Sequence, residues 1–183
     1  MEEYLRGVLE NFPEEITETP ETPAALNLFN VRDNNERELL NETRAQTFHH
    51  AVAQLLFTGI RCRKDAQTAI AFLTTRVRKT DKDDWKKLSR LIRSLKRTIK
   101  LPLILQADSL NVLKWWVETS YAAHDNMRGH TGGTMSMGKD GRGSIISILK
   151  NQKLNTKSLT EAEIIEADNV MPQMLWTRYF REA

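Results

Sequence analysis

Apolar residues recur at helical spacing four times in the first hundred positions. Leu5, Val8 and Leu9 share one face of a short helix that must stop before Pro13, since the residue ahead of a proline is held away from helical geometry. Pro20 and Pro23, set among Thr and Glu, predict an extended connection after it. Phe48, Val52, Leu55 and Leu56 mark a helix over residues 47–59, with Gly59 placed to end it. Another helix is predicted over 65–78, with Ala69, Phe72 and Leu73 inward. The fullest stripe is Trp85, Leu88, Leu91, Ile92, Leu95 and Ile99, capped by Asp83 or Asp84 and closed by Pro102.

Beyond residue 100 the period shortens. Residues 101–106 and 110–118 favour extended structure, with Val112, Trp116 and Val117 suited to a strand. Residues 129–143 hold six of the eight glycines, which predicts hairpin turns around a strand at Thr134–Met137. Residues 144–149 read as a further strand. A helix follows from Thr160 to Phe180, with a kink or break near Pro172. The expected class is α+β, in three parts. Residues 1–46 form an extended acidic lead-in with a short helix, 47–106 a helical region, and 107–183 a strand-strand-strand-helix unit.

Composition removes several possibilities. The chain has 183 residues, 40% hydrophobic and 28% charged, ordinary values for a chain that buries a core. No apolar stretch reaches the roughly 18 residues a membrane span needs, and MEEYLRGVLENFPEEI is too acidic for a signal peptide. One cysteine, Cys62, excludes an internal disulfide and fits a reducing interior, so an intracellular location, cytoplasmic or nuclear, is expected. The net charge of +3 conceals an asymmetry: residues 1–50 carry 4 Lys/Arg against 11 Asp/Glu, and residues 61–100 carry 14 against 4. A segment at +10 behind one at −7 is the layout expected where one face meets polyanions.

Two constellations could carry chemistry. Lys86, Lys87, Arg90, Arg93, Lys96, Arg97 and Lys100 surround the apolar stripe of the 82–100 helix, as a phosphate-binding surface or as a solvated face. Glu118 lies near the end of the best strand and Glu163 in the first turns of the last helix. If helix and sheet pack together, the two carboxylates could converge on Mg²⁺. Alternatively, Ser158 with Glu161, or Thr160 with Glu163, is a capping box. The pair His49-His50 points to two different helix faces, and His124 and His130 lie near Asp125 without a second Cys, so a structural reading leads. Cys62, between Arg61 and Arg63, has no identifiable base. Trp115, Trp116, Trp176, Tyr179 and Phe180 are expected in the core.

The spacings resemble a known family. Glu118 is followed by Arg128, Thr131 and Gly133 at offsets ten, thirteen and fifteen; Gln152 is followed nine residues later by Glu161 within Thr160-Glu161-Ala162-Glu163. In this order they resemble the ribonuclease H region of copia-type retrotransposon polyproteins. Trp85, Arg90, Ile92, Arg93, Leu95, Lys96 and Thr98 resemble the reverse transcriptase thumb and connection ahead of it. The resemblance runs from about Met1 to Ala183. It implies a thumb/connection module followed by a truncated ribonuclease H-like βββα unit of a parent polyprotein. The implied family activity is Mg²⁺-dependent cleavage of RNA in RNA–DNA hybrids. Glu118 and Glu163 would be the catalytic metal ligands, with Lys86, Lys87, Arg90, Arg93, Lys96 and Arg97 on the nucleic acid.

The sequence departs from the family in places. Its first Asp is Glu118, its Arg-Pro-Asp-Ile element is Arg63-Lys64-Asp65-Ala66, and Arg97 replaces a Gly. Its remaining ligands would follow Ala183, on a strand bearing Asp-Asn-Gln-Ser-Ala. The extra methylene of Glu118 displaces its oxygens by about 1.5 Å, and a misplacement of about 1 Å can cost roughly a hundredfold in rate. No independent catalysis is therefore expected. The alternatives are residual nuclease activity, a non-catalytic nucleic-acid-binding module, or an inert remnant.

Overall fold

Asn41 opens the longest helix of the first half by accepting a hydrogen bond from the Arg44 amide, and the apolar spacing carries that helix to Arg61. The computed structural model describes residues 1–17, 19–33, 35–122, 127–138 and 143–182. They divide into two compact units, Met1–Pro102 and Leu103–Ala183. Helix and antiparallel sheet together make the chain α+β.

The first unit holds α1 (Glu2–Glu10), α2 (Glu42–Arg61), α3 (Gln67–Arg76) and α4 (Lys82–Arg97), with a single 3₁₀ turn at Lys64–Ala66. Its core is largely the predicted one: Phe48, Val52 and Leu55 of α2 join Ala69, Phe72 and Leu73 of α3 and Trp85, Leu88, Leu91, Ile92 and Leu95 of α4, with Ile70 added, whereas Leu56 turns outward. Gly59 does not end α2. It is buried inside the helix, where a Cβ would come within 2.8 Å of Ile70 Cδ1, so it serves close packing against α3. The cap of α4 is Asp81 rather than Asp83 or Asp84. Its side chain accepts from the amides of Asp83 and Asp84 while Asp84 accepts from the Asp81 amide, a reciprocal box that satisfies the orphan donors of the helix N-terminus. Asp84 is buried against Arg76 at 3.1 Å, and burial raises its pKa.

The lead-in belongs to this core. Phe12 stacks on Trp85 with centroids 5.4 Å apart, Leu28 is buried, and Phe29 packs edge-on to Phe72. The Arg63-Lys64-Asp65 element has a structural role as well. Buried Arg63 grips Asp65 through Nε and Nη2 and donates to Thr98 Oγ1 at 2.6 Å and Thr98 O at 3.1 Å, fastening the 3₁₀ turn to the end of α4.

The second unit is a three-stranded antiparallel sheet, β1 (Lys114–Ser120), β2 (Arg128–Ser136) and β3 (Ile146–Asn155), in the order β1-β2-β3. Residues 101–106 form no strand. β2 and β3 are longer than predicted because Gly129, Gly132 and Gly133, read as turn residues, lie within β2. Gly133 lets α5 (Leu159–Glu182) approach: a Cβ there would sit 3.4 Å from both Val170 methyls. Helix α5 runs through Pro172 as one element. It turns Ala162, Glu166, Val170 and Thr177 inward at helical spacing.

Its outer half differs from expectation. Trp176, Tyr179 and Phe180, expected in the core, are exposed, with Trp176 and Phe180 stacked on each other. Trp116 is exposed too, because it alternates with the half-buried Trp115 and Val117 on β1.

Candidate functional site: a basic helix and a sheet–helix junction

Helix α4 brings most of the predicted basic residues into one region. Lys86, Arg90, Arg93 and Arg97 recur at intervals of four, three and four and so form one stripe. The lead-in lies along part of this region and meets Arg90 and Arg97 of the stripe. Arg90 donates to Thr22 Oγ1 at 3.1 Å, Lys96 to the Ile16 carbonyl at 3.1 Å, and Lys87 to the Asn30 carbonyl at 2.5 Å. Arg97 pairs with Glu21 at 3.6 Å and Lys86 with Asp83 at 3.3 Å. Glu14 accepts from Trp85 Nε1 and Ser89 Oγ on the same helix. Lys87 is half-buried, its ammonium 4.8 Å from the Phe72 ring centroid, and burial lowers its pKa. The contacts with the lead-in are not legible in the sequence because the partners lie 57 to 80 positions apart.

In the second unit a glutamine joins every element. Gln152 on β3 is buried, and its Nε2 lies within hydrogen-bond distance of Thr119 Oγ1 on β1, Thr131 Oγ1 on β2 and the Ala162 carbonyl on α5, at 3.0 to 3.2 Å. One helical turn after Ala162 comes Glu166, 3% exposed, its Oε1 without a hydrogen-bond partner. Burial pushes its carboxyl up to about 7. The backbone amides of Gly132 and Glu118 pull the other way, and the charges of Glu118 and Glu163 add to the rise. Both predicted carboxylates therefore lie within electrostatic reach of a third that the sequence reading passed over. The available signal was an ionisable residue at the centre of the Ala162–Glu166–Val170 stripe.

Glu163 takes no part in the cap of α5. Ser158 Oγ accepts from the Glu161 amide and Glu161 Oε2 accepts from the Lys157 amide, so that box uses Glu161. Glu163 is exposed on α5 and Glu118 is exposed on β1. Glu118 pairs with Gly132, and Val117 with Gly133. Gly133 meets Val170, whereas a Cβ on Gly132 would meet Leu149. By strand alternation Glu118 leaves the sheet on the face away from α5.

These residues do not fit a magnesium ion as they stand. Glu118 departs from the far face of the sheet, whereas Glu166 is buried against the face that α5 covers. Among the described residues no group of three or more His, Cys, Asp or Glu is placed to hold a metal ion.

His49 and His50 are exposed on α2. The Cys62 thiol faces the Thr58 carbonyl at 3.6 Å. His130 is buried in β2, and His124 and Asp125 lie outside the described residues. No helix among the described residues is long and apolar enough to cross a membrane. No family model, no curated protein and no solved structure matches the chain.

Proposed function

We propose that the chain is a piece of retroelement reverse transcriptase/ribonuclease H that holds nucleic acid without cutting it. Its α4 side would grip the phosphate backbone of an RNA–DNA hybrid. Its second unit would be a βββα element of ribonuclease H type. The observation that carries this reading is the use made of the matched residues. Of the family-like positions, Thr131, Gly133, Gln152 and Ala162 build the contact between the β1-β2-β3 meander and α5, while Glu118, Arg128, Glu161 and Glu163 are exposed. Four matched positions meeting in one sheet–helix contact favour common architecture. Binding is supported by the arginine stripe of α4, which spans about 16 Å from Lys86 to Arg97 at 1.5 Å per residue. The misfit of Glu118 and Glu163 to a metal ion supports the absence of cleavage.

Fluorescence anisotropy with a labelled 20-base-pair RNA–DNA hybrid tests the binding. The parent chain is expected to bind at about micromolar Kd in low salt, weakening steeply as salt rises. Arg93→Glu combined with Lys100→Glu should weaken binding at least tenfold and flatten the log–log salt slope by about two. Equal Kd values for parent and variant would refute the assignment of α4.

A further inference from the structure

The lead-in and α4 carry opposite charge and lie along one another. Residues 1–50 hold 11 acidic side chains and residues 61–100 hold 14 basic ones. Thr22, Glu21, Ile16 and Asn30 meet Arg90, Arg97, Lys96 and Lys87 respectively. These are the groups that a nucleic-acid backbone would use. Resting on the binding reading above, we propose that the lead-in from Phe12 to Val31 is a built-in competitor for the phosphate backbone, and that its middle must lift off α4 before a duplex can seat fully.

The way the segment is held supports displacement of the middle and retention of the ends. At one end Phe12 is buried against Trp85, with Glu14 bonded to Trp85 and Ser89. At the other, Leu28 is buried, Phe29 meets Phe72, and Arg32 is bonded to Asp83. Between these anchors Ile16 and Ala24 pack partly buried against the core, but Thr22 and Glu21 meet Arg90 and Arg97 only through polar, exposed contacts. The Glu21 side chain is 85% exposed and its partner Arg97 45%, so that pair is screened by solvent and salt and holds weakly. Leu26 is fully exposed and adds no apolar contact.

A duplex offers many phosphates at fixed spacing and releases counterions when it is neutralised, which one glutamate and one threonine hydroxyl cannot match. Lifting the middle frees Arg90 and Arg97 on either side of Arg93, completing three consecutive guanidinium positions of the stripe. Lys87 stays with the anchored end, tied to Asn30 and lying over Phe72.

The test compares the full chain with the double variant Glu21→Gln/Thr22→Val, which removes the two middle contacts and leaves both anchors intact. Glu3→Gln on α1 is the control, because it changes net charge by the same amount at an exposed site outside the Phe12–Val31 stretch. The probe is the labelled 20-base-pair hybrid, titrated from low to moderate salt. The double variant is expected to bind three- to tenfold more tightly than both parent and control. Its salt slope should be steeper by one to two, about 0.9 for each cation newly placed on a phosphate.

If parent, control and double variant bind alike, while Arg93→Glu/Lys100→Glu weakens all three backgrounds, α4 binds nucleic acid and the competitor role is overturned. If none binds at any salt concentration, both the binding reading and the competitor role fall. If the double variant and Glu3→Gln tighten binding equally, the effect is net charge alone and the competitor role is again overturned.

Discussion

Replacing Gln152 with leucine is expected to unfold the sheet-and-helix unit while the helical unit survives. Leucine is close to glutamine in size and brings no donor. The substitution would strip the Nε2 donor from a site shared by Thr119, Thr131 and Ala162, one acceptor on each other element. Each buried group left unpaired costs about 1–3 kcal/mol. A total of about 3 kcal/mol is a large part of the stability of an ordinary domain. In a unit of this size it lowers Tm by roughly 12–24 °C. Amide exchange reads the two units separately. Protection should collapse over β1, β2 and β3 and persist over α4. Unchanged protection in the strands would mean that Gln152 is a bystander.

Glu166 gives the second large effect, through pH. Its carboxyl is pushed up to about 7 in the fold, chiefly by burial, from an ordinary 4.5. The folded state therefore holds this proton more tightly than the unfolded chain does. Its contribution is fully present below about pH 4.5 and is lost as pH rises through about 7, because the fold must then carry a buried charge. A displacement of this size corresponds to on the order of 3 kcal/mol. Thermal melts of the second unit should thus show a lower Tm at pH 8 than at pH 5. Glu166→Gln removes the proton and keeps the shape, so its Tm should exceed the parent's at pH 8, and the fall between the two pH values should shrink. A parent Tm that rises toward pH 8 would mean that the carboxyl is ionised in the fold at little cost.

The legibility of the sequence follows the range of the interactions. Helix α4 was readable because its stripe, its acidic cap region and the proline beyond its end lie within about twenty consecutive residues. Even there the cap, Asp81, lies two or three residues ahead of the expected Asp83 or Asp84, since three aspartates in four positions all suit it. The glycines of β2 misled because local reasoning assigns them to turns. Their role depends on Val170, 37 residues on from Gly133, and on Gln152 beside Gly129. The lead-in looked extended because prolines and acids dominate it, while the residues that hold it stand on α4, more than fifty positions away. The exposed aromatics of α5 show the converse: size and apolarity suggested burial, but the sheet-facing stripe passes through Ala162, Glu166, Val170 and Thr177 instead.

At the candidate site the sequence supplied the basic residues and two of the three neighbouring carboxylates. It could not supply their surroundings. A charge pattern says nothing of whether an arginine meets solvent or a threonine hydroxyl of the same chain. A spacing between Glu118 and Glu163 does not reveal from which face of the sheet the first one leaves. Strand pairing decides that, through Gly132 and Gly133 on the neighbouring strand.

Binding without cleavage is tested most directly by incubating the full chain with an end-labelled RNA–DNA hybrid in Mg²⁺ and resolving both the complex and the RNA. The hybrid should shift into a protein complex while its RNA strand stays full length, in the parent and in Glu163→Gln alike. Shortened RNA from the parent that disappears in Glu163→Gln would contradict this and make the chain a nuclease.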